Sequence, residues 1–167
     1  MTKRALSAER LRELVKYDPE TGIFTRRIST SNRIKVGDLV GSPMAIGYFE
    51  ASIGGRRDTL HRFAWLYMTG EWPDGDIDHR DLDESNTRWG NLRCGSHAQN
   101  IANQKTRIDT VTGVKGVCLD RRTGRFAAYV TINQRKIHLG MFESKEDAGN
   151  AYREAATRHF GEFARCD

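Results

Sequence analysis

The chemistry-bearing residues of this chain crowd into its middle. Asp78-His79, Asn91-Leu92-Arg93 and then His97 and Asn100 bring together an acid, imidazoles, amides and a guanidinium. These types suit hydrolysis of a phosphodiester, which requires a nucleophilic water, relief of charge on the non-bridging and leaving oxygens, and in-line geometry. His79 is the natural base, because an unperturbed imidazole pKa of about 6.5 leaves it mostly neutral near pH 7. The Asp78 carboxylate and the Asn100 amide oxygen are hard donors suited to Mg2+ or Mn2+, which retains positions for water and phosphate oxygens. His97, three residues before Asn100, shares its helical face, either as a further ligand or as an ordinary surface histidine. Arg93 has two open roles, a phosphate contact or a surface ion pair. One tension is built in: neighbours on a regular strand point to opposite faces, so Asp78 and His79 converge only where the strand ends or twists.

Several elements must position these groups. Residues 76–79 read as a strand, a polar loop runs to Gly90, residues 91–93 open a second strand, and Ser96 with Gln99 forms a capping box for a helix. Upstream, Ser7 caps a short helix with Leu11, Leu14 and Val15 on one stripe, ending before the turn at 18–22. Short strands are expected at 23–27, 37–41, 48–53 and 56–60, the last two about Gly54-Gly55. Phe63, Ala64, Leu66 and Tyr67 then take helical spacing up to Gly70. Residues 102–112 lack apolar periodicity and read as a linker, which sets a domain boundary near residue 110. Beyond it, 114–119, 125–132 and 136–142 read as strands, and Ser144 caps an alanine-rich helix carrying Ala148, Ala151, Tyr152 and Ala155. The expected class is α+β: a region over residues 1–110 that holds the chemistry-bearing residues, and a three-stranded antiparallel sheet with one helix over 111–167.

Charge distribution narrows the function further. The chain of 167 residues carries a net +5, but residues 61–104 hold 4 Lys/Arg against 7 Asp/Glu, while both flanks are basic. Basic flanks fit a nucleic-acid partner. The acidic middle would repel phosphate unless a bound cation neutralised it, or else it is a solvated loop. An EF-hand starting at Asp81 fails, because Asn86 and Leu92 stand where glycine and a bidentate glutamate are needed. Cys94, Cys118 and Cys166 form no CxxC pair, so no structural zinc is expected and a reducing compartment is the default. No run of 18 apolar residues and no leader-like start occurs, so a cytoplasmic protein is expected, in the host cell if phage-encoded, with no membrane partner.

His61-Arg62, Asp78-His79, Asn91-Leu92-Arg93 and Asn100, with Trp65, Gly70, Glu71, Trp72, Pro73 and Trp89, resemble the HNH nucleases of the ββα-metal class over about residues 48–104. The subfamily is the one common among phage and homing endonucleases. The resemblance implies His79 as general base, Asp78 and Asn100 as metal ligands, and Asn91 as the motif residue whose side chain ties the intervening loop. In other branches of the class a histidine from the last helix ligates the metal, which is the functional reading of His97. His61 falls to the second shell or to helix packing. Leu82 stands where relatives usually have a turn glycine, and Thr87 where asparagine is frequent.

Residues 113–163, through Lys115-Gly116-Val117, Gly124-Arg125-Phe126-Ala127-Ala128 and His138-Leu139-Gly140-Met141-Phe142, resemble the APETALA domain of plant ethylene-response factors (ERF). That implies a sheet reading double-stranded DNA through Lys115, Arg125, Tyr129, Thr131, Lys136 and His138, with Arg121 and Arg122 in the first turn adding charge. The turn is one residue longer than in the plant form, and Tyr129, Thr131 and His138 replace its base-contacting residues, so plant target sequences do not carry over. The joint expectation is a metal-dependent DNA endonuclease acting as a monomer with no obligate protein partner. The alternative is a non-catalytic, sequence-specific DNA-binding regulator.

Overall fold

The structure, a computed structural model, describes residues 6–29, 31–104, 111–132 and 134–165. Its contacts divide the chain into two compact units, Met1–Cys94 and Gly95–Asp167. The expected boundary near residue 110, most of the 102–112 linker, and Cys166 lie outside the described residues.

In the first unit, helix α1 (Ala8–Leu14) is capped by the Ser7 hydroxyl, which accepts from Arg10 N. The helix stops one residue short of the expected stripe. Val15 is extended and opens strand β1 (Val15–Tyr17), which pairs antiparallel with β2 (Phe24–Arg26). A β-branched residue followed by alternating Lys16 and Tyr17 satisfies its backbone better in that ladder than in another helical turn. The strand expected at 37–41 is absent. Gly37 and Gly41 have φ of +89° and +120°, and only an isolated bridge joins Thr25 to Leu39. Strand β3 (Ser42–Pro43) follows instead, pairing with β4 (Phe49–Ile53), which in turn pairs with β5 (Arg56–Thr59). Gly54 and Gly55 both have positive φ, as a two-residue hairpin turn of the primed type demands.

Helix α2 (Leu60–Thr69) ends at left-handed Gly70 and buries Leu60, Phe63, Ala64 and Leu66. These pack with Leu11, Leu14, Val15, Phe24 and Ile53 into the core of the unit. The Arg12 guanidinium donates to the Tyr67 carbonyl, one of the acceptors that a helix end leaves without an intrahelical partner. Strands β6 (Asp76–His79) and β7 (Leu92–Gly95) pair, and a 3-10 turn at Trp89–Asn91 takes the place of the expected first residue of β7.

In the second unit, α3 (His97–Asn103) begins with the expected capping box between Ser96 and Gln99. Strands β8 (Val117–Asp120), β9 (Arg125–Ile132) and β10 (Arg135–Phe142) form an antiparallel sheet in the order β10-β9-β8. Residues 114–116 are a turn rather than strand, with Gly116 at φ +72°, and a Cβ there would collide with the Tyr152 ring. Helix α4 (Lys145–Phe160), capped by Ser144, lays Ala148, Tyr152 and Ala156 into the core of the unit. Tyr152, Phe160 and Phe163 also bury Ala102 of α3, so α3 belongs to this unit by packing. No helix among the described residues is long and apolar enough to cross a membrane.

Candidate active site

The polar loop between β6 and β7 is held by its own side chains. Asn91 accepts from Asp81 N through Oδ1 and donates through Nδ2 to Asp81 Oδ1 and the Asn86 carbonyl, both at 2.9 Å. Asn86 Nδ2 donates to Asp81 Oδ2 at 2.6 Å. Arg80 N donates to the Asn91 carbonyl at 3.0 Å, which continues the ladder past His79. Leu82, at the expected glycine position, has φ +63°, and its N–H donates to the His79 carbonyl.

The N-terminal turn braces this loop from outside. The Tyr17 hydroxyl donates to the Thr87 carbonyl at 2.7 Å, Thr87 Oγ1 donates to the Gly22 carbonyl at 2.8 Å, and Trp89 N donates to the Pro19 carbonyl at 3.0 Å. Thr87 is buried, so its hydroxyl finds on Gly22 the partner it would otherwise lose on desolvation. Trp89 also stacks 5.3 Å from Trp65 of α2.

Asp78 and His79 are 5% and 4% exposed. Arg93 donates to Asp78 Oδ2 from both Nε (2.8 Å) and Nη2 (2.7 Å), and is itself buried. The two sequence-level roles for Arg93 thus give way to a buried ion pair between the paired strands. A carboxylate enclosed there needs a cation, and β7 supplies one directly. His79 packs among rings: its centroid lies 5.1 Å from that of His61, nearly perpendicular to it, and 5.7 Å from that of Tyr48, while Tyr48 and His61 lie 5.1 Å apart. Burial lowers the His79 pKa below the usual histidine value, against an upward pull from Asp81, Asp78, Glu84 and Asp83. Burial, helped by repulsion from His79 and Arg62, takes His61 down to about 3. His61 Nε2 shares a 3.0 Å hydrogen bond with Thr59 Oγ1.

His97 is exposed near the start of α3, and Asn100 is half-buried one turn on; both belong to the second unit. On the sheet of that unit, register places Thr131 opposite Lys136 and Tyr129 opposite His138. Lys136 Nζ sits 3.9 Å over the Tyr129 ring, and the Tyr129 and His138 rings are 5.0 Å apart. Arg125 lies on the same face of β9, with Nη2 at 3.4 Å from the Met141 carbonyl. Arg121 and Arg122 are exposed in the turn before β9. Lys115 departs from this set: its ammonium donates to the Ala102 and Gln104 carbonyls at 2.6 and 2.7 Å, closing the C-terminal end of α3.

Residues 58–102 match the family described as HNH endonuclease, a stretch that includes His61, Asp78, His79, Asn91, Arg93, His97 and Asn100. No curated protein matches the chain. At the level of that family the matched stretch is of the nuclease type, with DNA as the substrate and a divalent metal in general use. Among the described residues no three His, Cys, Asp or Glu side chains group to hold a metal ion. Of the expected donor pair, Asp78 lies in the first unit, where its Oδ2 accepts from Arg93, and Asn100 lies in the second.

Tyr48 is the residue that sequence reading missed. It appeared there only as the first residue of a strand, and it lies 31 positions before His79, so no spacing rule links the two.

Proposed function

We propose that this protein is a metal-dependent endonuclease of the phage or mobile-element homing type that hydrolyses phosphodiester bonds of double-stranded DNA. His79 is the general base and takes a proton from the attacking water. The observation that carries this reading is the burial of the His79 imidazole beside Asp78, which keeps the ring neutral and able to accept a proton near pH 7. Asp78 and Asn100 would hold Mg2+ or Mn2+, which when bound supplies charge neutralisation at the phosphate and the leaving oxygen. Asn91 serves the chemistry by fixing the loop that carries Asp81.

Residues 1–110 form the nuclease region in this proposal, and 111–167 an ethylene-response-factor-like module that selects the site. Arg125, Tyr129, Thr131, Lys136 and His138 would face bases and phosphates, with Arg121 and Arg122 on the backbone, because a sheet face that is both basic and aromatic suits a major groove. The exposed basic stretch with Arg27, Arg33 and Lys35 would add phosphate contacts upstream. The protein would act as a monomer in the cytoplasm.

A second reading, the non-catalytic regulator, draws on the Asp78–Arg93 pair, in which one carboxylate oxygen already takes two guanidinium hydrogens. Supercoiled plasmid separates the two. The wild-type protein with Mg2+ should nick it, EDTA should stop nicking, and His79→Ala should abolish nicking while gel-shift affinity stays within a few-fold. Inert proteins that both still shift DNA would establish the regulator, and parallel loss of nicking and binding would remove His79 from the role of base.

A further inference from the structure

We propose that Tyr48 is a positioning residue for the His79 base, its ring and that of His61, themselves in contact, forming an aromatic seat that holds the His79 imidazole in one orientation. The inference rests on the assignment of His79 under the endonuclease reading, and it adds a residue that nothing in the motif supplies.

The geometry is local to the first unit. Tyr48 closes the tight turn between β3 and β4, where Met44 N donates to the Tyr48 carbonyl at 2.7 Å and Gly47 N donates to the Met44 carbonyl at 3.1 Å. Gly47 has φ +91°, and its missing Cβ would stand 3.5 Å from the Glu84 side chain, so this turn lies against the tip of the β6–β7 loop. The backbone thereby brings the Tyr48 ring to both histidines. His61 contributes the second ring of the seat, which meets that of His79 at 89° and is itself tethered by Thr59. Perpendicular and tilted arrangements at 5–6 Å are the favoured geometries of ring pairs, and together they favour one orientation of the imidazole over its alternatives. A base must meet its water within hydrogen-bond reach, and small misplacements are costly in rate. The phenol is half-buried, and burial, followed by the charges of Glu84, Asp78 and Asp76, raises its pKa, so it stays protonated and adds no charge to the rim.

The test uses the full chain and plasmid nicking with Mg2+. Tyr48→Ala should lower kcat by about ten- to a hundredfold with KM for DNA within twofold, and Tyr48→Phe, which keeps the ring, should restore turnover to within about threefold. Tyr48→Leu fills the space without a planar face and should behave as Tyr48→Ala does, which keeps the test open if the alanine variant does not fold. Wild-type turnover in Tyr48→Ala or Tyr48→Leu overturns the proposal, as does a Tyr48→Phe variant as slow as those two, since the hydroxyl rather than the ring would then be acting. If the wild-type protein nicks nothing, the endonuclease reading fails separately. The seat is then judged from the 1H–15N correlations of the His79 ring. Signals displaced in Tyr48→Leu and kept in Tyr48→Phe support it, and signals unmoved in Tyr48→Leu overturn it.

Discussion

Two histidines meet face to edge in a space that excludes most water, and their protonation is coupled to folding. His61 stays neutral down to about 3, and the His79 pKa is lowered too, both chiefly through burial. Unfolded histidines titrate near 6.5. The unfolded chain therefore binds protons that the folded one refuses, so this contribution is complete above about pH 6.5 and is lost as pH falls toward the folded values. Urea unfolding at pH 7, 6 and 5 should show stability falling by up to about 1.4 kcal/mol per pH unit for each histidine. His61→Gln should flatten that slope, and an equally steep slope in the variant would show that His61 is charged in the fold. Leu82 offers a second measurement at this scale. A left-handed backbone costs an L-residue about 1–2 kcal/mol, part of which glycine returns as lost chain entropy. Leu82→Gly should thus stabilise the protein by about 0.5–1 kcal/mol in the same assay. Asp78, His79 and Asn91 were legible as candidates from residue type and spacing. Tyr48 and the Asp78–Arg93 pair were not, because both depend on which chain segments meet in space.

At the scale of elements, the loop between β6 and β7 is braced by a turn more than 60 residues earlier in the chain. Gly22 is the tightest point of that brace. Its φ is +77°, and an added Cβ would stand 2.7 Å from both Arg88 N and the Thr87 carbonyl carbon. Gly22→Ala should cost about 1–3 kcal/mol by thermal unfolding and slow nicking as well, since the displaced loop carries Asp81 and Asn91. Unchanged nicking alongside lowered stability would mean that the brace supports the fold alone. Capping signals at Ser7, Ser96 and Ser144 and the Gly54-Gly55 hairpin were readable because each is settled within a few residues. The strand expected at 37–41 failed because its apolar residues look alike in a strand and in a glycine-hinged bridge.

Over the whole molecule, packing groups α3 with the C-terminal sheet and helix, whereas the matched family stretch runs across the division at Cys94 and Gly95. Removing residues 113–167 would therefore strip Ala102 of its cover by Tyr152, Phe160 and Phe163, and point variants give a cleaner measurement. Lys136→Ala and Arg125→Ala should each weaken DNA binding and reduce the slope of log affinity against log salt by about one where the side chain meets phosphate. Lys115→Ala should leave that slope unchanged and lower stability instead, because its ammonium caps α3. A salt slope unaffected by either sheet variant would exclude that face from phosphate contact.

The types and order of residues by themselves determined the kind of chemistry available here: a neutral-pH base, hard oxygen donors, capped helices, and a sheet with one apolar and one basic face. These follow from side-chain pKa, ligand hardness and period, which are properties of short stretches of chain. Tertiary structure alone decided the company each group keeps. It gave Asp78 to Arg93, set His79 against Tyr48 and His61, and turned Lys115 toward a helix end, because desolvation favours partners for buried polar groups among segments that sequence distance does not relate.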